Sequence, residues 1–216
     1  MAKKRPLTII AAMGRSNKNL ALSGVELIDE DYTWLAATER LALTSVKLPA
    51  GLLARMEKLW WLDIRGGSGT DLEFARGATK LQFLSVNQIR GLHDLSVICE
   101  MRSLRYIQLY GLPKVTELPS FSSLINLEHA SMGHMRGLLS LHGLLEAPRL
   151  RELLLIRKIN VNAADVEEII NHPTIKEFGW FAEDVPDRIW RPVVEKIKLT
   201  PVPYRSWEDW FGTDRS

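Results

Sequence analysis

His129, His134 and Glu152 are the side chains in this sequence with the chemistry for acid–base work. An imidazole beside a carboxylate is the minimum arrangement for moving a proton near neutral pH, and His129 and Glu152 stand 23 residues apart. His129 and His134 could also begin a metal site, but no third ligand accompanies them at metal-binding spacing. Gly66, Gly67 and Gly69 around Ser68 are not in the GxGxxG order that opens a phosphate-binding helix, so a flexible turn is expected there. Cys99, the only cysteine, follows apolar Ile98 and is read as a packed thiol rather than a nucleophile. A single cysteine also excludes an internal disulfide framework and a cysteine zinc cluster. There is no nucleophile motif and no paired-carboxylate arrangement. His93, His142 and His172 read as surface or capping residues. The expectation is a non-enzyme with no catalytic residue, no metal and no cofactor; a hydrolase using His129 and Glu152 is the competing reading.

What positions these residues is a repeat. The segment LALSGVEL at 20–27 returns as LALTSVKL at 41–48. An L-x-x-L-x-L pattern then runs through Leu59/Leu62/Ile64, Leu81/Leu84/Val86, Leu104/Ile107/Leu109, Leu127/Ala130/Met132, Leu150/Leu153/Leu155 and Ile175/Phe178/Trp180. The first positions of these six lie 22, 23, 23, 23 and 25 residues apart. Within a period the apolar residues march in threes, as in Leu112, Val115, Leu118, Phe121, Leu124, Leu127 and Ala130, with one step of two to Met132. Alternation with period two is the mark of a strand with one buried face. A strict period of three fits 3₁₀ turns or extended segments, whereas an α-helix would drift off it. Each repeat therefore predicts one short strand, a turn and a tight non-α return.

This pattern resembles the leucine-rich-repeat family, in particular its short internalin-like and phosphatase-regulator-like members, over about three quarters of the chain. The family's ninth-position asparagine ladder is missing; those positions are Val25, Val46, Gly67, Ile89, Leu112, Met135 and Lys158. The resemblance implies an α/β repeat solenoid: a right-handed superhelix with a parallel concave sheet of about eight short strands and mostly 3₁₀ or extended convex segments. It also implies a protein-binding module that acts as a regulator, adaptor or inhibitor. An immunity-type protein that neutralises a toxin or enzyme is an alternative.

Composition agrees with a packed chain. Of 216 residues, 46% are hydrophobic and 25% charged, with a net charge of +2. That balance lacks the concentrated basic footprint of a dedicated nucleic-acid binder. No apolar run approaches the roughly 18 residues of a membrane helix. The start, MAKKRPLTIIAAMG, only faintly resembles a signal peptide because its apolar stretch is short and holds Pro6 and Thr8. A cytoplasmic protein is expected. Residues 1–16 read as an N-terminal cap, 17–181 as about eight repeats, and 182–216 as a tryptophan-rich C-terminal cap. Within that last segment Ile197 and Leu199 suggest one more irregular strand. Trp190, Trp207, Trp210 and Phe211 are expected to cover the open end of the array. Residues 162–171 predict a true helix with Asn162 as its N-cap.

With the leucines inward, neighbouring residues must face out in columns. The first column runs Asn19, Arg40, Trp61, Phe83, Tyr106, His129, Glu152, Glu177. The second includes Asp63, Ser85, Gln108 and Ser131, and the third Arg65, Asn87 and Tyr110. Aromatic residues and arginine dominate binding hot spots, and folding does not require them on an open sheet. The candidate partner-binding residues are Arg40, Trp61, Asp63, Arg65, Phe83, Asn87, Tyr106, Gln108, Tyr110, His129 and Glu152, with another protein as the expected partner. Two further readings of the aromatic column stay open: cross-strand stacking that stabilises the sheet, and cover by the C-terminal segment. Nucleic-acid binding through Arg40, Arg65 and the rings is a third functional class. Trp61 is the first choice as an anchor, and the role of Trp60 is undecided.

Overall fold

A five-residue strand with one apolar face cannot bury that face alone, so it must stack on copies of itself. The computed structural model describes residues 18–203 together with Asp209 and Phe211. Eight strands stack in chain order into one sheet: β1 (Asn19–Ser23), β2 (Arg40–Thr44), β3 (Trp61–Arg65), β4 (Phe83–Asn87), β5 (Tyr106–Tyr110), β6 (His129–Met135), β7 (Glu152–Ile159) and β8 (Glu177–Phe181). Every neighbouring pair is parallel and over five positions keeps the register the repeat predicts, so Asn19, Arg40, Trp61, Phe83, Tyr106, His129, Glu152 and Glu177 are successive partners; past Gly133 the β6–β7 pairing shifts and Met135 stands opposite Ile159.

The inward leucines carry the packing. Leu41, Leu62, Ile107, Leu109, Leu153 and Leu155 are fully buried, and so is the return column through Leu112, Val115, Phe121, Leu124 and Leu127. Burying one such side chain is worth about 1.5–3 kcal/mol over leaving it in water. The returns form 3₁₀ turns at Asp29–Asp31, Leu53–Arg55, Glu73–Ala75, Ser96–Glu100 and Phe121–Ser123. Among the described residues the α-helices are α1 (Tyr32–Leu35), α2 (His142–Leu145), α3 (Ala163–Asn171) and α4 (Asp187–Ile197).

Left-handed residues close the first five strands, at Gly24, Ser45, Gly66, Gln88 and Gly111, and recur inside β6 and β7 at His134 and Arg157, with φ between 50° and 67°. From Gly24 to Gly111 their amides donate to the next strand's end, as in Ser45 N to Arg65 O at 2.8 Å and Gln88 N to Tyr110 O at 2.9 Å. The ladder thus continues one step past the sheet without an asparagine column. Gly133 has a different constraint, because a Cβ there would lie 2.4 Å from the carbonyl oxygen of Ile156.

Helix α3 begins where the sequence places it. Asn162 Oδ1 accepts from Asp165 N, and Asp165 Oδ2 accepts from Asn162 N, both at 2.9 Å. The fully buried Asp165 also takes Leu141 N at 2.8 Å and Ser140 Oγ at 2.6 Å, tying this repeat to the one before it. The stretch around Ile197 departs from expectation. It ends helix α4 rather than forming a strand, and β8 gains only an isolated bridge from Glu177 to Thr200. The reason is spacing: Trp190, Val193, Val194 and Ile197 recur at three- and four-residue intervals, which suits a helix, and all four pack against the end of the repeat core. Lys198, with φ of 53°, then turns the chain out. Residues 1–16, Trp207 and Trp210 lie outside the described residues. Among the described residues no helix is long and apolar enough to cross a membrane.

His172 fastens the end of α3. Its Nε2 lies 3.0 Å from Leu145 O, and its Nδ1 accepts from the amides of Thr174 and Ile175 at 3.3 Å, an arrangement suited to the neutral ring. Burial holds its pKa below the ordinary histidine value. As pH falls, the unfolded chain takes up this proton first, at about 6.5, so the stabilisation is full above that value and is lost as pH drops through the lower folded value. Thermal melts between pH 7 and 5 should show a shallower loss of Tm for His172→Gln than for the wild-type chain.

Candidate partner-binding face

The register brings the first-column rings into a stack. Trp61 and Phe83 lie 5.0 Å apart between centroids at 10°, and Phe83 and Tyr106 lie 4.9 Å apart at 11°. His129 continues the row at 6.5 Å and 32° from Tyr106. Offset stacking of this kind contributes about 0.5–1.5 kcal/mol per pair beyond area burial. The row is flanked by polar groups. On its β1 side Arg40 Nε donates to Asn19 Oδ1 at 2.6 Å. On the other side His129 Nδ1 is 3.7 Å from Glu152 Oε2, and its Nε2 is 3.6 Å from Glu128 Oε2.

In the second column Asp63, Ser85 and Ser131 are each only 3% exposed. Asp63 Oδ2 accepts from Arg65 Nε at 2.7 Å, while its buried Oδ1 has no hydrogen-bond partner among the described residues. Gln108 is half-buried between the two serines. The third column is the most open: Arg65 is exposed, Asn87 and Tyr110 are half-buried, and Phe181 is 42% exposed at the far end. Tyr110 stacks on His134 at 5.9 Å and 22°.

Most of the eleven sequence-predicted residues reach the surface, but Phe83, Asp63 and Glu152 are buried at 5%, 3% and 6%. What covers Phe83 includes Phe211. That ring is itself buried, 5.2 Å from Trp60 and 6.3 Å edge-on from Phe83, with the Arg105 guanidinium 5.4 Å from its centroid. Phe211 therefore does not cover the open end of the array. It lies against rungs three to five, on the aromatic surface that Trp60 and Phe83 present. Trp60 also acquires a role. The two tryptophans divide the work, Trp61 stacking in the column and Trp60 forming the floor under Phe211.

The acid–base and metal candidates separate. His129 and Glu152 are brought together, but His134 faces Tyr110 at the other end of its strand. Among the described residues no group of three or more His, Cys, Asp or Glu side chains could hold a metal ion. Burial pushes the Cys99 thiol pKa up, and its Sγ donates to Ser120 O at 3.2 Å, which suits a packed thiol.

No protein-family model matches the sequence, and no curated protein matches it. Among solved structures the chain is similar to internalin C2 of Listeria monocytogenes, with a TM-score of 0.59 at 16% identity over 86% of this chain and 80% of that one. A second internalin of the same organism aligns at 14% identity over 84% of this chain and 71% of that one, with a TM-score of 0.29. The first of these decides the architecture. The fold is a leucine-rich-repeat solenoid.

Three contributors to this leucine-rich-repeat face carry no signal in the repeat itself. Arg105 precedes its strand by one residue, outside the columns that alternation defines. His134 lies inside β6 at a left-handed φ of 50°, where the pairing with β7 shifts register. Phe211 comes from a segment with no periodicity, so its landing place is set by tertiary contact alone. The ring stack gives a direct test: a double-mutant cycle on Trp61→Ala and Phe83→Ala, read by denaturant unfolding, should return a coupling of about 1 kcal/mol.

Proposed function

We propose that this chain is a non-enzymatic protein-binding module that takes its partner on the exposed sheet face, as a regulator, adaptor or inhibitor. The observation that carries the reading is an outward surface, built by register alone, that presents Trp61, Tyr106 and Tyr110 beside exposed Arg65. An aromatic centre with a polar rim is the anatomy of a protein interface. Neutralisation of a toxin or enzyme is one form such binding could take. The arginines favour protein over nucleic acid as the partner: Arg65 is ion-paired to Asp63 and Arg40 donates to Asn19, which leaves less free cation for phosphate.

Affinity capture from the source cell, with identification by mass spectrometry, tests the reading when the wild-type chain is compared with Trp61→Ala/Tyr106→Ala. Two hot-spot anchors worth about 2 kcal/mol each predict a loss of roughly 10²–10³-fold in affinity for the captured protein while circular dichroism is retained. A folded double variant that holds the same partner as tightly would refute the proposal.

A further inference from the structure

We infer that the slot formed by Trp60, Phe83 and Arg105 is a receptor for an aromatic side chain, that Phe211 is its resident ligand, and that the protein partner inserts an aromatic residue of its own in its place. The slot has three kinds of wall: an indole at 5.2 Å, a phenyl ring meeting the guest edge-on at 6.3 Å, and a guanidinium 5.4 Å from the guest's centroid. A cation over a ring face selects aromatic over aliphatic guests. Arg105 is held for this task by Glu128, 3.3 Å away.

Exchange is built into how the slot is attached. Trp60, Phe83 and Phe211 form an aromatic cluster separate from the leucine core. The repeat core therefore closes without Phe211, and removing that ring uncovers a formed surface rather than opening a cavity in the array. The slot is also continuous with the proposed interface, since Trp61 and Tyr106 pack against the same cluster. A partner segment lying along the aromatic column meets the slot and must displace Phe211 to use it. The inference rests on the reading of this face as a protein interface, and it names what the partner brings: an extended segment with a phenylalanine, tyrosine or tryptophan anchor.

A synthetic peptide of residues 204–216, YRSWEDWFGTDRS, is the probe, labelled for fluorescence anisotropy and titrated into the full-length chain. Tethering gives the resident ring an effective concentration on the order of millimolar, so the wild-type chain should bind the peptide weakly. Phe211→Ala should bind it at least ~10-fold more tightly. A peptide with alanine at its own Phe211 position should lose that gain, as should a chain carrying both Phe211→Ala and Arg105→Ala. Equal binding of the two peptides by folded Phe211→Ala, or no binding of either, overturns the inference. So does a Phe211→Ala chain that no longer folds, since Phe211 would then be a structural joint rather than a ligand. Because the probe is the chain's own sequence, its result is independent of partner capture. Peptide binding that persists while capture does not depend on the face would refute only the interface reading, and the converse would refute only the slot.

Discussion

Each coil of this molecule presents an apolar edge that it cannot bury by itself, and the rest of the structure follows from that constraint. Burial is achieved only when the next coil sets its strand in parallel at the same height, so that leucine meets leucine. A slip of one residue would send the whole inward column into water. Register is therefore the most strongly determined property of the array. The left-handed residues from Gly24 to Arg157 keep the turns in step with it. Buried Asp165 performs the same service where the return lengthens into a helix, holding α3 to the preceding coil through Leu141 and Ser140.

The outward face inherits its order from the inward one. Because Leu62, Leu84 and Ile107 are aligned, Trp61, Phe83 and Tyr106 must be aligned too, and three rings at 4.8-Å strand spacing stack as a matter of geometry. The stack supports both stability and recognition. It buries part of itself, with Phe83 the most enclosed, and it leaves Trp61, Tyr106 and the Arg65–Tyr110 edge accessible. Phe211 joins the enclosed part, so one aromatic surface serves an intramolecular ligand and, in the proposed function, an external one.

The sequence made the repeat fully legible, because periods of two and three leave a distinct apolar spacing. Strand register, the column membership of residues such as Arg40 and His129, and the Asn162 cap are all legible in that spacing and in the residue types alone. The end of the array was harder. Ile197 and Leu199 are two apart and imitate a strand, but the wider series Trp190, Val193, Val194 and Ile197 decides for a helix. Burial on the sheet face was not legible either. Alternation says which way Phe83 and Asp63 point, but not that neighbouring side chains and Phe211 will cover them. The aromatic richness of residues 207–211 signalled a surface to be covered without saying which one.

Inward and outward positions alternate along each strand in a fixed register. Adjacent residues of β5 test it most directly, because Ile107 is fully buried and Gln108 faces out. Equilibrium unfolding of Ile107→Asp and Gln108→Asp should give opposite results. An unpaired carboxylate at 107 would leave no cooperative native state, since burying an isolated charge costs far more than the array can supply. The same change one residue along should leave a folded chain with a transition close to wild type. Comparable stability of the two variants would contradict the register, and with it the face built upon it.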